Sequence, residues 1–129
     1  MTEIKCIVDD CGNEYLPDFT ETELWAGKDI CNLTKREGQL VMLYNSIVKA
    51  ENYWYNNTPT AFGNPDYSMY VGTVNGMIAG LGWDYQDKDG WIVIKTGKRT
   101  IMKIQKPKKT KAYLDAVRDN CEILKTYGL

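Results

Sequence analysis

The chain contains no histidine. That absence removes the commonest general base near neutral pH, the Ser-His and Cys-His nucleophile pairs, and the most frequent protein ligand of catalytic zinc. Three phosphate- and acyl-handling motifs are also missing: the Walker loop, the nucleophile elbow and the strand-led dinucleotide fingerprint. Gly76-Met-Ile-Ala-Gly80-Leu-Gly82 is glycine-rich, but it closes a helical stretch instead of opening one, so its amides cannot cradle a phosphate. No apolar run approaches the roughly 20 residues of a membrane span. The opening Met1-Thr-Glu-Ile-Lys5 has no basic region followed by an apolar one. These absences lead to the expectation of a cytoplasmic, non-enzymatic protein with no catalytic residue, no cofactor and no membrane association.

Cysteine is sparse, with Cys6, Cys11, Cys31 and Cys121 expected to be reduced in that compartment. Cys11-Gly12-Asn13-Glu14-Tyr15 resembles the second half of a zinc-ribbon knuckle. Cys6 lies on the far side of an intervening tetrad and no second knuckle follows, so thiols buried as small apolar groups are favoured over a metal site. Asp84, Asp87 and Asp89 offer carboxylates for a divalent cation, but they fall in a turn sequence where acids occur for local reasons.

Acid is absent from residues 95–111, which carry Lys95, Lys98, Arg99, Lys103, Lys106, Lys108, Lys109 and Lys111. Residues 1–29 show the reverse bias, with eight acids against Lys5 and Lys28. The net charge of -1 conceals this segregation. A basic ribbon of this kind could track a phosphate backbone or meet an anionic ligand. The plainer alternative is that the two ends neutralise each other within the fold.

What is present begins with Gly72, Gly76 and Gly80, spaced four apart inside a helical pattern. Asn64-Pro65-Asp66 reads as the helix start and Gly82 as its end. Each interior glycine costs about 1 kcal/mol relative to alanine. At 100° per residue the glycines oppose a core face of Tyr67, Val71, Val74, Ile78 and Leu81. The glycine face is flat and suited to close contact with another backbone, either within the chain or in a second copy.

Around this helix the periodicities give a coarse map. Residues 3–8 read as a strand, 9–13 as a turn and 14–16 as a return strand, with a helical turn or two after Thr20-Glu-Thr-Glu23. Thr34-Lys-Arg-Glu37 has capping-box spacing before a helix over 35–56 whose apolar face holds Leu40, Leu43, Tyr44 and Ile47. Asp87-Lys-Asp-Gly90 is a turn, and Thr96-Gly97-Lys98-Arg99 a two-residue hairpin of the type II′ kind. Simple pairing through that hairpin sets Val93 opposite Met102 and Trp91 opposite Ile104, placing these four on the helix side. A last helix follows Thr110, with Tyr113, Leu114, Val117, Cys121 and Leu124 as its buried stripe.

The fold expected is a single compact α+β domain over 1–129: a helical hairpin on a small antiparallel β-meander, with a C-terminal helix and a short β-containing N-terminal segment. The function expected is that of a small binding or regulatory protein, such as an inhibitor of the kind phages and mobile elements encode. It would act through protein–protein contacts with a partner or a second copy, using Gly72, Gly76 and Gly80 or the aromatic loop with Tyr53, Tyr55 and Tyr67. The alternative is nucleic-acid or nucleotide binding through 95–111.

Overall fold

The computed structural model describes residues 2–56 and 65–126. Its architecture is α+β, with four helices, a four-stranded sheet and a two-stranded one. The helices are α1 (Lys35–Glu51), α2 (Tyr53–Asn56), α3 (Pro65–Leu81) and α4 (Lys111–Thr126). The strands are β1 (Thr2–Ile4), β2 (Ile7–Val8), β3 (Glu14–Tyr15), β4 (Asp84–Lys88), β5 (Trp91–Thr96) and β6 (Arg99–Gln105).

The capping box forms as its spacing predicts. Glu37 N donates to Thr34 Oγ1 and Thr34 N to Glu37 Oε1, each at 3.1 Å, starting α1. The expected 35–56 helix is interrupted at Asn52, which ends α1, and α2 then follows. The start and end of α3 agree with expectation, although the Asn64 cap and the loop before it lie outside the described residues. Its end is a Schellman turn. Gly82 sits at φ 68°, its N–H donates to Ala79 O, and Trp83 N–H donates to Ile78 O. Glycine adopts that left-handed conformation without a Cβ clash.

β4, β5 and β6 form the expected antiparallel meander. Asp89 and Gly90, both at positive φ, make the first turn, and Gly97 at φ 59° opens the second. The register of the second hairpin departs from simple pairing. Thr96 faces Arg99 and Lys95 faces Thr100, but Ile94 faces Met102, so a bulge leaves Ile101 as an extra residue on β6. One inserted residue exchanges the faces of everything beyond it. Ile92, Ile94, Met102 and Ile104 are therefore fully buried, while Trp91 and Val93 lie on the opposite, half-exposed face.

The N-terminal strand expected over 3–8 is split. Thr2–Ile4 pairs in parallel with 102–104, giving the sheet order β1-β6-β5-β4, and only Ile7–Val8 returns against Glu14–Tyr15. Gln105 fixes the break: its Oε1 accepts from Cys6 N at 2.9 Å and its carbonyl accepts from the Cys6 thiol at 3.4 Å. In place of the capping-box turn at Thr20, Asp18 caps a short 3₁₀ turn over Phe19–Glu21.

The core lies between α1 and the sheet. Leu40, Leu43, Tyr44 and Ile47 of α1 meet Ile4, Ile92, Ile94, Met102 and Ile104, and Val74 joins from α3. Fully burying such side chains contributes about 1.5–3 kcal/mol each. Tyr44 satisfies its phenol by donating to Pro17 O at 2.7 Å.

Two expected contacts are absent. A Cβ placed on Gly72, Gly76 or Gly80 would meet no heavy atom within 4 Å, so no part of the described chain covers that face. The stripe on α4 is also open: Leu114 is 52% exposed, Val117 is 36% exposed and Cys121 is exposed. α4 touches the body through Tyr113, whose ring meets Trp54 edge-on at 5.7 Å. Tyr67, expected in the core face of α3, is 42% exposed.

Candidate functional site

Strand alternation divides the basic segment between surfaces. Lys95 and Lys103 fall on the face of the sheet away from the helices, with Trp91 and Val93 between them in the register. β4 adds Lys88 opposite Trp91 and Gln86 opposite Val93. A concavity of about 380 Å³ lies over these side chains, and Lys103 Nζ is 4.6 Å from the centre of the Trp91 ring. Lys88 and Trp91 were not among the site residues expected from sequence: Trp91 shares a face with Lys95 by strand alternation and meets Lys88 through the β4–β5 pairing, while the bulge turns Lys103 to that same face.

Lys106 belongs to the opposite side. Asp87 pairs with the buried Ile92, and Lys106 Nζ lies 2.6 Å from the Asp87 carboxylate. Lys98 and Arg99 are exposed at the hairpin tip, and Lys108, Lys109 and Lys111 are exposed around the start of α4. Lys109 Nζ stands 5.7 Å from the Tyr113 ring centre. The eight cations thus do not form one ribbon. Among the described residues, no ion pair joins an acid of 1–29 to a base of 95–111.

The expected tyrosine surface also divides. Tyr55 donates to Asp9 Oδ2 at 2.7 Å and stacks on Tyr15 with ring centres 5.0 Å apart. Asp9 in turn accepts from the backbone of Cys11 and Asn13, and these bonds, led by that from Tyr55, hold its carboxyl below the usual range. Tyr55 therefore ties the N-terminal hairpin to α2. Tyr53 instead gathers with Tyr67 and Tyr70, at 5.7 and 6.1 Å between ring centres.

Below that cluster, a cavity of about 230 Å³ separates the end of α1 from α3 and β4. Glu51, Tyr67, Asn75, Tyr85 and Lys106 line its polar side, with Ile47 and Val74 on the apolar side. Burial raises the Glu51 carboxyl above its ordinary value, against the opposing pull of Lys106 and Lys109. Burial likewise raises the Tyr85 phenol, helped by the Glu51 charge, while the bond to Asp87 raises Lys106. A concave site with convergent polar groups and shifted titrations is suited to ligand binding. Glu51 and Tyr85 were missed in the sequence because they sit 34 residues apart and neither belongs to a motif.

Asp84, Asp87 and Asp89 do not converge. Asp84 pairs with Lys95 on the open face, Asp87 binds Lys106 on the other, and Asp89 is in the turn. The cysteines expected to be buried are mostly not so: Cys11, Cys31 and Cys121 are exposed and Cys6 is half-buried. Among the described residues, no group of three or more Cys, Asp or Glu side chains is placed to hold a metal ion, and no helix is long and apolar enough to cross a membrane. At the aromatic junction, Trp54 Nε1 is buried without an acceptor among the described residues. Comparison with protein-family models, curated proteins and solved structures finds no match.

Proposed function

We propose that this is a small binding protein that acts through protein–protein contacts, with a partner or a second copy seated on its helical faces. The observation that carries the reading is the uncovered apolar stripe of α4, where Leu114, Val117 and Cys121 recur at helical spacing and are exposed. An amphipathic helix gains its stability chiefly by burying such a stripe. The open glycine face of α3 adds to the reading, because its cost of about 1 kcal/mol per glycine is not offset by packing within the described chain. An accessory regulator or inhibitor is the role that suits a domain of this kind.

The test is mass by light scattering across a concentration series, joined to cross-linking in extracts of the cells that make the protein. Wild type is expected to self-associate or to capture one partner, and Leu114→Asp/Val117→Asp to lose that association while remaining folded. Gly76→Leu separates the two faces, since it alters α3 alone. A wild-type monomer with the same cross-links as the α4 variant would overturn the reading.

The concavity around Trp91 favours a second reading, in which a nucleic acid or nucleotide stacks on the indole and pairs with Lys88, Lys95 and Lys103. Glu3 and Asp84 lie beside Lys103 and Lys95 in the register, which weakens the local field and ranks this reading second. Its test is a salt titration against single-stranded and duplex oligonucleotides, comparing wild type with Lys95→Glu/Lys103→Glu. Equal binding by both proteins would count against it.

A further inference from the structure

We infer that the cavity between α1, α3 and β4 is a receptor site for an aliphatic ammonium group, with Glu51 as its counter-ion. This site is separate from the α4 stripe, the glycine face and the Trp91 concavity, so its test stands apart from theirs.

The argument starts from where Glu51 lies. It is the last residue of α1, where the aligned peptide dipoles present their negative end. A carboxylate is locally unfavourable there and a cation is favoured. Glu51 nonetheless has no hydrogen-bond donor and no ion-pair partner within 4 Å among the described residues, and its surroundings raise its carboxyl pKa. A half-buried carboxylate without a donor is destabilising, and a bound cation would relieve it.

The neighbours narrow the chemistry. Lys106 is the cation in the wall, but its amino group lies on Asp87 at 2.6 Å. The Asp87–Lys106 pair is neutral as a whole, so among the described residues the Glu51 carboxylate is the charge in the wall without an ion-pair partner, offset only at longer range by Lys106 and Lys109. The phenols of Tyr67 and Tyr85 flank the space, and tyrosine rings with a carboxylate form a recurrent ammonium-binding arrangement. Asn75 adds an amide that can accept a further N–H bond. Ile47, Val71 and Val74 provide an apolar wall for a methylene stem. A cavity of about 230 Å³ is roughly eight times the 30 Å³ share of one liquid water, enough for an alkylamine of about four to six carbons. A free amine and a lysine side chain from a partner share this chemistry.

The experiment is titration of the protein with n-butylamine, putrescine and Nα-acetyl-lysine methylamide. It is followed by NMR at the Asn75 side-chain amide and the Val71 and Val74 methyls, with 1-butanol and butyrate as controls. The expected result is saturable shifts at those groups with the amines, none with butanol, and binding at least about tenfold weaker in Glu51→Gln. Glu51→Gln removes a buried charge without changing shape, so it is expected to fold, and Tyr85→Phe provides a second folded variant with a weakened site. Tightest binding by putrescine assigns the site to a free amine, and tightest binding by the lysine derivative assigns it to a partner's side chain. Absence of amine binding at tens of millimolar, equal affinity in Glu51→Gln, or butyrate binding as well as butylamine would each overturn the inference.

Discussion

Asn52 holds Leu16 by both backbone groups. Its Oδ1 accepts from Leu16 N at 2.8 Å, and its Nδ2 donates to Leu16 O at 3.0 Å. The side chain acts as a one-residue strand partner across 36 positions of sequence. The backbone of Asn52 still donates to Val48 O at 2.8 Å, and with φ −84° and ψ 0° it is the residue at which α1 gives way to α2. Leu16 is 1% exposed and is carried into the core by this clamp.

Removing the clamp leaves a donor and an acceptor of Leu16 without partners in a buried place. Asn52→Ala is expected to destabilise by about 2–4 kcal/mol, read by urea unfolding. Asn52→Asp keeps the acceptor and loses the donor, so it should fall between the two. A loss below about 0.5 kcal/mol in the alanine variant would show that water replaces both bonds at little cost.

Filling the glycine face should stabilise the isolated chain. Gly72, Gly76 and Gly80 are helical, with open space above each. Alanine at any one is expected to add about 0.5–1 kcal/mol, nearly additively for the three. Chemical denaturation of the single and triple variants measures it. Destabilisation would mean that the face is covered in solution, as by a second copy.

The cysteines should separate by reactivity. Burial, with Glu14 and Glu51 nearby, pushes the Cys6 thiol up to about 12. At pH 8 only about one Cys6 in ten thousand is then thiolate. Cys11, Cys31 and Cys121 are exposed. A thiol-specific chromogenic reagent is expected to modify these rapidly and Cys6 only on unfolding. Four equally fast thiols would contradict the placement of Cys6 against Gln105.

Glu51 should make stability fall as pH rises. Its folded carboxyl lies above the ordinary value because burial disfavours the charge. Between the unfolded and the raised folded pKa the folded chain keeps a proton that the unfolded chain loses, so stability declines across that window and stays reduced above it. Glu51→Gln is expected to match wild type below about pH 4 and to melt at a higher temperature at pH 7. Parallel pH profiles for the two proteins would rule out this account.

Elements set by local chemistry were legible in the sequence. The Thr34/Glu37 capping box, the span of α3 with its Gly82 stop, and the Gly97 hairpin each depend on neighbours within a few residues. The sheet face was misread for an equally definite reason. Val93 and Met102 look like partners by counting outward from Gly97, and a single extra residue at Ile101 invalidates the count. Nothing local marks that bulge, because Ile101 is itself an ordinary β-former and is buried.

The candidate sites divide along the same line. Lys95 and Lys103 were recognisable as cations, but Lys88 joined the Trp91 face only through the β4–β5 pairing and Lys103 reached it only through the bulge. Glu51 gave no local signal, since its setting is made by α3 and β4, which follow later in the chain.

By itself the sequence determined the α+β class, the main helices and the hairpin turns, because backbone propensity and side-chain period act over a few residues. It also determined that glycines line one face of α3 and apolar residues one stripe of α4. Only the tertiary structure decided that neither face is covered within the described chain, that β1 adds in parallel beside β6, and that Glu51 lines a cavity with no ion-pair partner among the described residues. Those outcomes depend on contacts between residues far apart in the chain, and period and propensity carry no information about which distant surfaces meet.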